Sequence, residues 1–277
     1  LEDNPQLNIN IIFGNIIYRF PNNNKTVFVG FNIEHTLVRR GGRDCDPATP
    51  VGKIRELVGK HNYLVRIDKY AAISSNDVIV DYSIPNIENI TTSGAFDDYA
   101  KKLVYISPLF YPVAARSHSQ SHPRDIRCLT TFINTAEPRR RALLDKLAAR
   151  PDIGHENVNN CFDLVKLQEL YKRTRVMINI HQTDHHHTLE ELRVLPALCC
   201  GIIVVCEESP LSEKIPYHEY VIWAPYREMI PMVEQVLENY DEYHRRIFGG
   251  GKLEKLWQKM EEANIGGMKA ALIQNQV

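Results

Sequence analysis

Several features are missing from this chain, and each absence removes a class of protein. No run of 18 apolar residues occurs, so no membrane-spanning helix is expected, and the polar, acidic start LEDNPQLNIN has no signal-peptide pattern. Neither sign of charge is in excess. Lys and Arg number 33 against 34 Asp and Glu, a formal net charge of −1, which argues against bulk attraction to nucleic acid or an anionic membrane. Cysteine is sparse and unpatterned: Cys45, Cys128, Cys161, Cys199, Cys200 and Cys206 form no CxxC pair, and the last three lie in an apolar segment. Free, buried thiols in a reducing compartment are therefore expected instead of a disulfide framework. The P-loop, the GxGxxG dinucleotide fingerprint and the GxSxG nucleophile elbow are all absent.

What is present describes a globular, core-forming chain. Its 277 residues, 44% hydrophobic and 24% charged, suffice for one large α/β domain or two of ordinary size. In the first half, Asn8–Phe13, Thr26–Gly30, Tyr63–Ile67, Asp77–Asp81 and Lys102–Ile106 read as strands. Val51–Lys60 has helical spacing, and Asn86–Ser93 and Asp97–Lys102 read as short helical segments. The nearly all-apolar DVIVD at 77–81 is typical of a parallel strand covered on both faces. In the second half, the strand Ile126–Phe132, the amphipathic stretch 136–150 and a helix Leu164–Arg173 capped by Asp163 lead to the strand Val176–Ile180. The strands Ile202–Cys206 and Glu219–Ala224 and the helix Met229–Tyr240 follow. Helical spacing continues over 241–277, interrupted by glycines at 249–251 and 266–267. Alternation of β and α predicts parallel sheets. The expected division is an N-terminal Rossmann-like domain over 1–112, a linker over 113–124, and a C-terminal Rossmann-like domain over 125–248. A helical segment, 249–277, is expected to pack back on the first domain.

The stretch 175–208, RVMINIHQTDHHHTLEELRVLPALCCGIIVVCEES, reads as strand, polar loop, helix and strand. Thr188 is placed to cap the helix, Glu190 and Glu191 suit its positive end, and Gly201 ends it. A helix N-terminus at the C-terminal edge of a parallel sheet is a site for phosphorylated ligands. The four histidines of the loop, His181, His185, His186 and His187, lack the Cys or carboxylate spacing that would complete a metal site, so a ligand-facing or exposed loop is expected. RRGGRD at 39–44 could cradle a phosphate or be a flexible basic loop. Arg139, Arg140 and Arg141 open a helix, where cations oppose the dipole unless a negative partner is present. Glu34 and His35 follow a strand and Asp81 ends one. Each is a candidate general base, and Asp81 could equally fix the following loop by hydrogen bonds.

Together these strings resemble a known family. INIH, then LEELRVLPALCCGIIVVCEES, then YVIWAPYREMIPMVEQVLENYDEYHRRI resemble the donor-binding half of GT-B glycosyltransferases, in particular the exostosin-like and spore-coat-like groups found in large algal viruses. Asn179, Ile180, His181, Leu189, Glu190, Arg193, Leu198, Gly201 and Glu207 carry the match. TFINTAEPRRRALLDKL resembles the entry into that half, with Arg139 and Arg140 at the paired basic positions. FNIEH at 31–35, VDYSIPNI at 80–87 and YISPLFYP at 105–112 resemble first-half motifs. One departure stands out: the glutamate that many relatives carry five residues before the helix-ending glycine is Pro196 here, so either Glu190 or Glu207 supplies the ribose contact or the retaining families that use that glutamate are the wrong neighbours.

The resemblance implies a GT-B fold of two Rossmann-like domains whose parallel sheets face an interdomain cleft. It also implies transfer of a sugar from a nucleotide diphosphate donor to a glycan hydroxyl, inverting, with a carboxylate base and no metal or other cofactor. The implied donor is a UDP-sugar, UDP-xylose first, as for a chlorovirus xylosyltransferase, and the implied location is the cytoplasm, that of the host if the protein is viral. Donor contacts are expected from Asn134, Arg139, Arg140, His181, Thr188, Leu189, Glu190, Arg193 and Glu207. The base is expected to be Glu34, then Asp81, then His35. The competing readings are a non-catalytic two-lobed sugar or sugar-nucleotide binder, which the altered position at Pro196 keeps open, and a hydrolase of the two-Rossmann sugar-nucleotide epimerase type.

Overall fold

The structure is a computed structural model. It describes residues 8–12, 26–39, 51–57, 61–67, 70–111 and 123–274. Residues 40–44 of the basic loop, Cys45 and residues 113–122 of the expected linker lie outside the described residues. The chain divides into two compact units. One comprises 1–107, 185–188 and 259–277, and the other 108–184 and 189–258, so the unit boundary falls after Ser107, ahead of the 113–124 stretch. Both are α/β units built on a parallel sheet.

In the first unit, β1 (Asn8–Ile12), β2 (Thr26–Asn32), β6 (Val78–Asp81) and β7 (Leu103–Tyr105) form a sheet in the order β1-β2-β6-β7, parallel throughout. Three further strands, β3 (Leu37–Arg39), β4 (Val51–Leu57) and β5 (His61–Arg66), make a separate antiparallel sheet in the order β3-β5-β4. The helices are α1 (Tyr70–Ile73), α2 (Ile84–Ser93) and α3 (Asp97–Ala100). The described residues 51–57 of the expected helix over 51–60 therefore form a strand, and the strand near 63–67 belongs to the antiparallel sheet. The reason lies in the register. Between Val51 and Ile54 three residues of β4 answer two of β5, an irregularity of the bulge type. An extra residue in a strand gives apolar positions a spacing of three, which mimics a helix repeat.

The β6 strand is covered on both faces, as DVIVD suggested. Ile79 packs with Val65, Ile67, Ile73, Ile90, Phe96 and Tyr99, whereas Val78 and Val80 pack with Val27, Val29, Ala271 and Leu272. Alternation of side chains along a strand sends neighbours to opposite faces, so each face has its own cover. The second cover comes from α9 (Lys252–Gln274), whose Asn264 accepts from Ser107 N at 2.9 Å and donates to Ser107 O at 3.0 Å. The expected break at 266–267 does not occur: α9 runs through both glycines. A Cβ on Gly267 would lie 3.5 Å from Val104 Cγ1, ordinary packing distance, so burial of this helix face outweighs the helix cost of about 1 kcal/mol per glycine.

In the second unit the strands are β8 (Ile126–Thr130), β9 (His155–Asn157), β10 (Thr174–Asn179), β11 (Ile203–Glu207) and β12 (Ile222–Ala224). Their order is β12-β11-β10-β8-β9, again all parallel. The helices α4 (Pro138–Ala148), α5 (Leu164–Lys172), α6 (Glu191–Cys199), α7 (Met229–Glu238) and α8 (Tyr240–Phe248) belong to the same unit. Asp163 caps α5 as expected, accepting from Val165 N at 3.0 Å and Lys166 N at 2.9 Å. Gly201, with φ of 77°, follows the end of α6 in the left-handed region that glycine enters without steric cost. Arg124 ties the other edge of the sheet together, donating to Thr174 O at 2.5 Å and to Cys200 O at 2.7 Å. No disulfide joins the five described cysteines, and Cys128, Cys199, Cys200 and Cys206 are buried. Among the described residues no helix is long and apolar enough to cross a membrane.

Leu272 is 2% exposed against the sheet and its neighbour Ile273 is 62% exposed. Leu272→Ala is expected to cost about 2–5 kcal/mol and Ile273→Ala no more than about 0.5 kcal/mol, measured by chemical denaturation. Equal effects at the two positions would show that α9 does not cover the sheet.

Candidate functional site

The strand order of the second unit locates its site. Numbered within the unit, the order is 2-1-3-4-5, a doubly wound arrangement that reverses between β8 and β10. Loops leaving the C-terminal ends of two such strands diverge and leave a crevice, the usual ligand position in open parallel sheets. The segment after β8 leads into α4 and the segment after β10 leads into α6, so both helices begin at this edge. The three arginines in the first turn of α4 are placed here, and each is accommodated differently.

Arg139 is the hub of an internal network. Its Nη1 donates to Glu207 Oε2 at 2.5 Å, and its Nη2 donates to Glu207 Oε1. Nε reaches Asp184 Oδ1 at 2.7 Å, and Nη1 also reaches His181 O at 3.2 Å. The guanidinium lies 3.9 Å from the Tyr226 ring centre, and Tyr226 OH donates to Arg139 O at 2.7 Å. Burial works against the charge, but bonding and attraction to Glu207 and Asp184 win and raise the Arg139 pKa. Glu207 also accepts from His181 N at 3.0 Å, and His181 Nε2 lies 3.1 Å from Glu208 O. Arg139, Glu207 and His181, all expected as donor contacts, bind one another and hold the start of the histidine loop against the sheet edge. Charge-assisted bidentate pairing of this kind occupies the guanidinium fork.

Arg140 is held otherwise. It is 3% exposed, its guanidinium lies 4.9 Å from the Phe132 ring centre, and its Nε has no hydrogen-bond partner among the described residues. Burial pushes its pKa down to about 10, and repulsion from Arg193 adds to this, while Glu190 and Glu137 oppose it. Arg193, partly exposed one turn into α6, donates from Nη1 to Asn179 Oδ1 at 3.1 Å, at the end of β10. Two arginines that repel each other, one of them buried with an unfilled donor, form an electropositive position suited to an anion. The buried hydroxyls of Thr131, after β8, and Ser209, after β11, likewise lack partners among the described residues. Arg141 points to solvent, 3.8 Å from Asp145.

The entry to α6 departs from expectation. Thr188 is not its cap. The helix begins at Glu191, after an inverse γ-turn in which Glu190 has φ −73° and ψ 67° and Glu191 N donates to Leu189 O at 2.9 Å. That turn supplies the acceptor a threonine hydroxyl would otherwise give. Thr188 is buried, is counted with the first unit, and its Oγ1 has no partner among the described residues. The two glutamates diverge: Glu191 is fully buried and accepts from Tyr217 OH at 2.8 Å, whereas Glu190 stays partly exposed beside Arg140. Leu189 is buried, Asn134 is exposed in the loop after β8, and Pro196 is buried within α6.

In the first unit, the end of β2 is fixed by buried amides. Asp81 is fully buried and accepts from Asn32 Nδ2 at 2.6 Å, Ser83 N at 2.9 Å and Asn86 Nδ2 at 3.2 Å. Asn32 in turn accepts from Glu34 N at 3.3 Å, and both Asn32 and Asn86 donate to Glu34 O at 3.3 Å. Asn86 also accepts from Thr36 Oγ1 at 2.9 Å. Asp81 thus bonds the segment that follows it through Ser83 N, and through Asn32 and Asn86 it also supports the Glu34 backbone in the loop after β2. The Glu34 side chain is exposed at the tip of that loop, and the His35 ring lies 6.0 Å from the His186 ring. His186 forms a bridge with Val38, and its Nε2 is 3.5 Å from Arg66 Nη2. Among the described residues no group of three or more His, Cys, Asp or Glu is placed to hold a metal ion. The asparagines 32, 86 and 179 were absent from the expected site. All three nevertheless stand in the strings that carry the resemblance, Asn32 in FNIEH, Asn86 in VDYSIPNI and Asn179 in the second-half match, with Asn32 and Asn179 ending parallel strands and Asn86 in the first turn of α2.

No protein-family model matches the chain. Over 207 residues it is 28% identical to an uncharacterized protein of Acanthamoeba polyphaga mimivirus, an alignment covering 68% of each chain. Among solved structures it resembles TarM, at 11% identity and a TM-score of 0.48, covering 90% of this chain and 50% of that one. The chain thus spans half the length of that protein.

Burial, the largest influence, raises the Asp81 pKa from 3.8 to about 6 against its three donors. A raised carboxyl pKa in the folded state gives stability that is complete below the unfolded value and is lost as pH rises through the folded one. Between pH 4 and pH 7, wild type should lose up to about 3 kcal/mol of unfolding free energy relative to Asp81→Asn. Urea titrations at both pH values measure this, and a pH-independent difference would show that Asp81 titrates normally.

Proposed function

We propose that this protein is a glycosyltransferase of the GT-B type that takes a nucleotide diphosphate sugar, a UDP-sugar with UDP-xylose the first choice, and transfers the sugar to a glycan hydroxyl. The observation that carries the proposal is the buried Arg140, with its unfilled Nε, paired with Arg193 at the switch point of the second unit's sheet. A diphosphate there would receive two guanidinium groups and lie beside the first turn of α6. Arg139, spent on Glu207 and Asp184, holds the loop and leaves the anion to its neighbour. Glu190, partly exposed at the start of α6 and beside Arg140, is the candidate for the ribose hydroxyls.

In the inverting scheme, the acceptor oxygen attacks the anomeric carbon as the bond to the diphosphate oxygen breaks. Arg140 and Arg193 stabilise the negative charge that develops on the leaving group, and a carboxylate takes the acceptor proton. Glu34 is the proposed base, since its backbone is held by Asn32 and Asn86 while its side chain is exposed. Asp81, bonded to Asn32, Ser83 N and Asn86, acts as its support. Charge compensation by two arginines gives this scheme no step that calls for a metal. The similarity to a mimivirus protein fits a viral origin, for which the host cytoplasm is the proposed location.

Calorimetric titration with UDP tests the donor site. Arg140→Ala and Arg193→Ala should each weaken UDP by about tenfold or more, or about 1.4 kcal/mol. Unchanged affinity in both variants would remove the diphosphate from this position. Release of UDP from a panel of UDP-sugars with glycan acceptors tests the chemistry. Glu34→Gln should lower turnover by about a hundredfold or more with UDP affinity intact. Near-normal turnover excludes Glu34 as base, and tight UDP binding without turnover of any donor favours the binding-protein reading.

A further inference from the structure

The position of Arg140 is not set by hydrogen bonds of its own guanidinium Nε, so something else must fix it. Its guanidinium rests on the ring of Phe132, which is fully buried two residues beyond the end of β8. Phe132 lies outside the ladder of the sheet, yet both of its backbone polar groups are occupied by one side chain. Phe132 N donates to Asn157 Oδ1 at 3.0 Å, and Asn157 Nδ2 lies 3.4 Å from Phe132 O. Asn157 closes the edge strand β9, paired in register with Thr130.

The orientation of the Asn157 amide is determined by chemistry. A backbone N–H can only donate, so the atom facing Phe132 N is the amide oxygen. That oxygen also accepts from Thr130 Oγ1 at 2.7 Å, which uses the single hydroxyl proton. Thr130 Oγ1 must then accept from His155 Nε2, 2.9 Å away, so His155 carries its proton on Nε2. Burial lowers the His155 pKa to about 4, so the neutral ring with that tautomer is the form present near neutral pH. Donor and acceptor senses agree along the whole chain, from His155 through Thr130 to Asn157 and Phe132.

We infer that Asn157 and Phe132 are positioning residues for the anion site: Asn157 clamps the backbone of Phe132, and the Phe132 ring sets the guanidinium of Arg140. The inference rests on the diphosphate reading of Arg140. A ring beneath a guanidinium leaves the edge N–H groups pointing outward for a ligand while excluding water from one face, which a carboxylate partner would not do. The three arginines of α4 thereby divide into one locked by carboxylates, one seated on an aromatic ring and one solvated.

Calorimetric titration of UDP into the full chain tests this with a double-mutant cycle. Phe132→Leu, which keeps an apolar side chain, and Asn157→Leu should each weaken UDP by about threefold to tenfold. Neither should weaken it further in the Arg140→Ala background, because a residue that acts only through Arg140 has nothing left to position. The same loss in both backgrounds would mark general structural damage and overturn the inference. Unchanged affinity in the two single variants, with Arg140→Ala impaired, would overturn positioning alone. Full UDP affinity in Arg140→Ala would overturn the diphosphate reading and this inference with it.

Discussion

Cations at the N-terminal turn of a helix oppose its dipole, and α4 places three arginines there in succession. Much of the second unit is arranged around that conflict. Glu207, at the end of β11, and Asp184, in the loop after β10, neutralise Arg139, and the same carboxylate of Glu207 anchors His181 N. A single ion-paired fork thus joins the ends of two strands to the start of a helix. Among the described residues Arg140 receives no such ion-paired partner; it has an aromatic seat, a neighbouring arginine and the more distant attraction of Glu190 and Glu137. Burying an arginine this way is unfavourable without an anionic partner, and the strand reversal beside it is the usual ligand position in open parallel sheets.

The first unit meets a related problem with amides. Asp81 sits at the end of a strand covered on both faces, where water does not reach it, and Asn32, Asn86 and the Ser83 backbone supply its donors. The remaining valences of the two asparagines fall on the loop carrying Glu34 and Thr36. Burial of one carboxylate therefore orders the exposed loop beside it. In both units, polar groups at the C-terminal strand edge are positioned by buried partners from a neighbouring strand or helix.

Element type was legible wherever one local pattern dominated. DVIVD announced a strand covered twice, Asp163 a helix cap, Gly201 a helix end, and the alternation of β and α two parallel sheets. Reading failed where a tertiary partner altered the local rule. The irregular register of β4 against β5 gave a strand the spacing of a helix. The inverse γ-turn at Glu190 displaced Thr188 as cap. Packing of α9 on Val104 carried the helix through Gly266 and Gly267.

The candidate site shows the same division at the level of single residues. The sequence alone determined that basic residues would stand at the C-terminal sheet edge, because strand ends and helix starts follow from local hydrophobic pattern and capping. It could not separate Arg139 from Arg140, or Glu190 from Glu191 and Glu207, since adjacent residues of one type differ only in what lies across from them. Those partners, Glu207 for Arg139, Phe132 for Arg140 and Tyr217 for Glu191, come from strands and loops up to 68 positions away. Only the tertiary structure brings them within contact distance, and the direction each side chain takes is decided there, by burial and by the charge it meets.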